Sequence, residues 1–292
     1  MNLSKCGIVA FVGIGALLPA LIRGATIRDD QPAGGYLNLA GSPDYASVGS
    51  FVNNWGFTGS ATLIAPDWVL TAAHNLAAAT SGTFTIGGVS YTSTQVIRHP
   101  GWQSGNLFAG NDFGLVQLST AVAGVTPATL YTGSLEFGLT ATFVGFGFTG
   151  TGLTGYQTVD GQKRAFQNVI DGDFGTPALV LGSDFDNPHS IADNAFGSTN
   201  ALSLEGAVAP GDSGGGVFLV DGSQSYLAGI ISFVAATDGS ANADYGDVSG
   251  FGRVSALNPW ILSTIPEPSA FTLLPVAGLV MLLGRRFLRV NQ

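Results

Sequence analysis

The sequence predicts an all-β protein, and three observations carry that expectation. Charged residues fill only 10% of the 292 positions, too few to coat the outer faces of long surface helices. Glycine occurs 43 times beside abundant Thr, Val and Phe, a mix that suits short strands joined by tight turns. From Ala46 onward, β-type segments alternate with Gly, Asn, Asp and Pro punctuation. Strands are expected at 60–64, 68–71, 83–86, 94–98, 113–118, 140–146, 167–171, 216–220, 226–234 and 250–254. Many short strands at this spacing argue for a barrel or a sandwich.

The two ends differ from the body. Lys5 precedes an apolar run up to Ile22, with small residues at Gly24 and Ala25, so residues 1–25 read as a removable signal peptide and the protein as exported. Cys6, the single cysteine, lies inside that leader. The mature chain therefore has no thiol, and its stability must come from packing. At the other end, Pro266-Glu267-Pro268 is followed by the apolar run 271–283 and then Arg285, Arg286 and Arg289. A bilayer core asks for about 20 apolar residues. The run is short, but basic residues directly after it suit a cytoplasmic anchor, with a membrane helix at 269–284.

Removing Lys5, Arg23, Glu267, Arg285, Arg286 and Arg289 from the total of 10 basic and 19 acidic residues leaves 5 against 18, a net charge of −13 for the body. Such a surface repels phosphate backbones, which argues against nucleic acid as a partner. Between residues 121 and 138 the alternation fades around Pro127, marking a crossover between two β units, 26–132 and 133–264. The loop at 184–201 collects Asp184, Asp186, Asn187, Asp193 and Asn194. Oxygen-rich loops bind calcium in some proteins, but these residues lack a fixed ligand spacing. The reading is a solvated loop with no metal.

Amide hydrolysis at neutral pH needs an activated nucleophile, a base, a group that orients the base, and donors for the developing oxyanion. Three segments supply all four: Leu70-Thr71-Ala72-Ala73-His74, Asn111-Asp112-Phe113-Gly114-Leu115-Val116, and Pro210-Gly211-Asp212-Ser213-Gly214-Gly215-Gly216. Each has a plainer reading. His74 would suit a core, Asp112 would cap a turn after Asn111, and Ser213 would sit in a merely flexible glycine loop. Of the other histidines, His99 in Arg98-His99-Pro100-Gly101-Trp102 reads as structural, and His189 has no partner evident in the sequence.

These segments, in this order, resemble the signature regions of the chymotrypsin/trypsin family over roughly residues 46–261. Further pieces are Ser60-Ala61-Thr62-Leu63-Ile64, Gly145-Phe146-Gly147, Gly229-Ile230-Ile231-Ser232-Phe233 and Pro259-Trp260-Ile261. The resemblance implies two six-stranded antiparallel β-barrels, with a substrate cleft between them and no cofactor. It implies Ser213 as nucleophile, His74 as general base and acid, Asp112 as its orienter, and the N–H groups of Gly211 and Ser213 as the oxyanion hole. The base of the first substrate pocket falls at Ala207 and Val208, with Ser232, Phe233 and Val234 along its wall. No Asp occupies that base, so a small or medium apolar side chain is expected there. The last 27 or so residues are similar to the PEP-CTERM sorting signal of bacterial exported proteins. That similarity implies a transient inner-membrane anchor, cut near Pro266-Glu267-Pro268 by an exosortase-type enzyme.

The sequence also departs from the family pattern. Asn75 stands where a Cys often follows the His, and Gly216 replaces a common Pro. No Ile-Val-Gly-Gly opening is present to pair with Asp212, and leader removal after Ala25 exposes Thr26-Ile27-Arg28, leaving the activation route open. Two other readings stay in view. One is a catalytically silent binding module on the same fold. The other is an α/β-hydrolase esterase, disfavoured by the order His, Asp, Ser and by the absence of a strand-to-helix pattern around Ser213.

Overall fold

A computed structural model describes residues 24–175 and 178–265. The predicted leader up to Arg23 and the predicted tail from Pro266 lie outside the described residues. Among the described residues no helix is long and apolar enough to cross a membrane. Among the described residues, those up to Asn258 belong to one compact unit and those from Pro259 to a second.

The described residues open with β1 (Thr26–Ile27) and a short helix α1 (Ala33–Ala40). There follow β2 (Val48–Asn53), β3 (Thr58–Ala65), β4 (Trp68–Thr71), α2 (Ala73–Leu76), β5 (Gly82–Ile86), β6 (Val89–Arg98) and β7 (Gly114–Leu118). These six strands, β2 to β7, close into an antiparallel barrel in the order β2-β3-β4-β7-β6-β5. Alternating side chains of β2 and β5 point inward, so Phe51, Phe84 and Ile86 meet Leu63, Val69, Val116 and Leu118 in its core.

The second half holds β8 (Thr129–Leu130), β9 (Thr140–Gly145), β10 (Thr149–Thr151), β11 (Gly155–Thr158), β12 (Arg164–Val169), β13 (Gly172–Phe174) and β14 (Val180–Asp184). After these come β15 (Gly206–Ala207), β16 (Gly216–Asp221), β17 (Gln224–Ala235), β18 (Val248–Arg253) and the helix α3 (Val254–Thr264). The expected second six-stranded barrel does not form. The strands make an open half-barrel in the order β12-β9-β16-β17-β18-β14-β13, with β8 paired to β17. Closure fails at the edges. Beyond β12 there is only an isolated bridge, Gln167 to Glu205, and the other edge strand β13 has just three residues. Beside this sheet, β1 lies between β10 and β15 in a separate four-stranded sheet ordered β11-β10-β1-β15.

The acidic loop also differs from its expected solvated form. Asp184, Asp186 and Glu205 are at most 2% exposed. Asp184 and Glu205 act as acceptors for the loop's own backbone, whereas Asp186 Oδ1 has no partner among the described residues. Asp184 Oδ2 takes the N–H groups of Ala195 and Phe196, while Glu205 takes those of Asp186 and Leu202 from opposite ends of the segment. Burial beside like charges pushes Asp186 up to about 7 and Glu205 up to about 8. Among the described residues no group of three or more His, Cys, Asp or Glu side chains is placed to hold a metal.

Candidate active site

The short helix α2 begins directly after β4, and this places His74 at the rim of the closed barrel. Its C-terminal carbonyls are tied down by side chains: Asn53 Nδ2 donates to Asn75 O at 2.8 Å, and Arg98 donates to Leu76 O at 3.1 Å. Asp112 immediately precedes β7, the neighbour of β4, so the strand pairing brings the two residues together.

The Asp112 carboxylate accepts three hydrogen bonds. Oδ1 takes the His74 backbone N–H at 2.8 Å, and Oδ2 lies 2.6 Å from His74 Nδ1 and accepts the Ser232 hydroxyl at 2.6 Å. Burial alone raises this carboxyl. The His74 charge and these donors outweigh that effect and hold Asp112 below the usual carboxylate range. With Nδ1 engaged by a carboxylate, the imidazole is oriented so that Nε2 is the free nitrogen.

Ser213 comes from the second half, in the turn before β16. Its hydroxyl donates to the Ser232 carbonyl at 3.5 Å, and among the described residues it has no bond to His74. Nucleophile–base contacts are commonly loose when no substrate is bound. Ser232 thus touches two of the three residues, through its hydroxyl to Asp112 and its carbonyl to Ser213. The sequence singled it out only as a pocket wall. Its place two residues after Gly229-Ile230 on the strand paired with β16 was the available signal.

Around Ser213 the backbone is shaped for anion binding. Gly211 has φ +95°, a conformation that L side chains rarely adopt, and a Cβ there would come within 2.9 Å of Gly147 Cα. Among the described residues, neither the Gly211 nor the Ser213 N–H finds a partner in the protein. Unpaired backbone donors in a packed turn are rare, and a pair flanking a hydroxyl suits a developing oxyanion.

Asp212 points the other way, into the interior. Its carboxylate accepts the N–H groups of Gly147 at 2.7 Å, Ala209 at 2.8 Å and Ala25 at 3.0 Å. Complete burial pushes it up to about 7, against the pull of those donors and of the Arg164 charge. Ala25, which the sequence assigns to the leader, is therefore built into this site with β1.

The residues assigned to the substrate pocket are all buried, none more than 5% exposed. Ala207 lies in β15, paired with Thr26, and the Val208 N–H donates to Ser249 Oγ at 3.0 Å. Phe233 turns into an aromatic cluster, 4.7 Å from the Phe108 ring and 5.7 Å from Phe174, while Val234 joins the core of the half-barrel. None of these side chains is charged. The remaining histidines stand apart: His99 Nδ1 accepts the Gly101 N–H, and His189 pairs with Asp29 at 3.1 Å, a partner the sequence did not reveal.

The sequence pattern described as Trypsin matches residues 42–261. Among solved structures, that of HL collagenase aligns with a TM-score of 0.57, covering 82% of this chain and 100% of that one at 20% identity. A likeness at that identity is one of fold. No curated protein sequence matches the chain.

Proposed function

The chain belongs to the trypsin family of serine peptidases, and from that premise we propose that it is an exported endopeptidase acting through Ser213, His74 and Asp112. The observation that carries this reading is the bonded series from His74 through Asp112 and Ser232 to Ser213, beside two unpaired N–H groups. Ser213 Oγ attacks the scissile carbonyl while His74 Nε2 takes its proton. Asp112 stabilises the resulting imidazolium, and the N–H groups of Gly211 and Ser213 receive the oxyanion. His74 then protonates the leaving amine, and water releases the acyl group by the same steps.

The residues proposed to line the first substrate pocket, Ala207, Val208, Ser232, Phe233 and Val234, with Ser249 bonded to the Val208 N–H, would offer no counter-charge to a cationic side chain. Cleavage of a peptide library is expected to follow small or medium apolar residues. Dominant cleavage after Arg or Lys would overturn the pocket assignment.

Activation belongs to the same proposal. Ala25 N already sits on the buried Asp212 carboxyl, which supports a cut between Gly24 and Ala25, one bond earlier than the leader reading placed it. That cut replaces an amide N–H by an ammonium and gives the buried carboxylate a full counter-charge. In the uncut chain the Asp212 carboxyl is raised to about 7, so the folded state binds a proton that the unfolded state releases near pH 4. Its stability therefore falls as pH rises from about 4 to about 7. After the cut the carboxylate is held ionised, and that loss disappears. Protein starting at Ala25 is expected to melt higher than protein retaining Gly24, with a gap that widens toward neutral pH. Equal melting curves would refute the pairing. The mass of the exported protein reads both ends, and with them the proposed exosortase-type cut that releases the membrane segment.

A further inference from the structure

The nucleophile segment is held by its carbonyls, and the donors come from the other half of the molecule. Ser213 O accepts the backbone N–H of Ser60, on β3, at 2.8 Å. It also accepts the side-chain amide of Asn75, on α2, at 2.7 Å. One residue before Asp212, the Gly211 carbonyl accepts the Ser60 hydroxyl at 3.0 Å.

The orientation of the Asn75 amide is dictated by its neighbours. Thr71 Oγ1 donates its only hydrogen to Ser60 O at 2.8 Å, so toward Asn75 it can only accept, which it does at 3.0 Å. Ser213 O is likewise an acceptor. The NH2 group must face both, and Asn75 Oδ1 is left buried without a partner. An unpaired buried oxygen is a cost that a space-filling residue would not carry. The turn is also seated directly on this cluster. Gly214 has φ +86°, and a Cβ there would lie 2.2 Å from Thr71 Oγ1 and 2.9 Å from Asn75 Nδ2.

We propose that Asn75 is a positioning residue for the nucleophile, its carboxamide fixing the Ser213 carbonyl so that the Ser213 hydroxyl and N–H are presented to the substrate. The proposal rests on the peptidase reading. Among the described residues the Asn75 carboxamide bonds Thr71 and Ser213 and none of the residues assigned to the substrate pocket, so its removal should lower kcat and leave KM nearly unchanged. Small misplacements of a reacting group cost about 100-fold in rate.

The test uses the purified exported protein and two substitutions of nearly equal size. Asn75→Leu removes the donor and the orphaned oxygen together, whereas Asn75→Asp sets carboxylate oxygens against Ser213 O and Thr71 Oγ1. If Asn75 only fills space, Asn75→Leu keeps full activity and melts as high as the wild type. The positioning role predicts that Asn75→Leu also melts as high, yet loses roughly 10- to 100-fold in kcat and in the rate of fluorophosphonate labelling, with KM within about twofold. Asn75→Asp should show the same split, and whichever variant folds decides. A kcat within about twofold of wild type in either variant overturns the proposal while leaving the peptidase reading intact. A wild type that neither cleaves peptides nor takes the label removes the premise instead.

Discussion

Ser213→Ala is expected to lower kcat by about a million-fold, the loss that follows when the hydroxyl of such a unit is deleted. No other hydroxyl replaces it. The Ser232 hydroxyl, the nearest alternative by bonding, is committed to Asp112 at 2.6 Å and is 3% exposed. KM should change little, because the pocket residues are untouched. Stability should also be kept. The one hydrogen bond of the Ser213 hydroxyl is 3.5 Å long, beyond the usual range for O–H···O contacts, so its loss frees almost nothing. Kinetics and a melting curve on the same preparation check both halves of this expectation.

Asp112→Asn is expected to cost about 10,000-fold in kcat at neutral pH. Two donors already fix the geometry around this side chain. The His74 backbone N–H occupies Oδ1, so the new NH2 group must take the place of Oδ2, opposite His74 Nδ1 and the Ser232 hydroxyl. His74 then moves its proton to Nε2 in order to accept at Nδ1, and Nε2 can no longer take a proton from Ser213. The imidazolium also loses its buried counter-charge. A pH–rate profile checks this, since the loss should be deepest where the wild-type base is neutral. A loss below about tenfold would mean that Asp112 does not orient the base.

Most of the barrel was legible because its β-type runs lie between turn residues, although β2 was not among the expected strands. In the expected strand at 83–86, Phe84 and Ile86 fall on the inward positions that a period of two requires. The His, Asp and Ser segments were legible because their chemistry sits in short runs. What escaped depends on where distant segments meet. Nothing local to Gly172 or Arg164 says that the sheet stops there, and the missing closure depends on β1 and β15 filling the space beside it. Asp184 and Asp186 in the loop at 184–201 looked solvated because charge is normally exposed. The burial of Asp184 is offset because the loop folds the N–H groups of Ala195 and Phe196 onto it. Asn75 could be seen as a departure from a pattern, but its role requires knowing that Ser213 O and Thr71 Oγ1 both face it.

Labelling the purified protein with a fluorophosphonate, beside Ser213→Ala, tests the central claim most directly. The account predicts one covalent adduct per chain, located by mass spectrometry on Ser213 and absent from the variant. Folded wild-type protein that takes no more label than Ser213→Ala would contradict it and point to a binding module that keeps the fold without the chemistry.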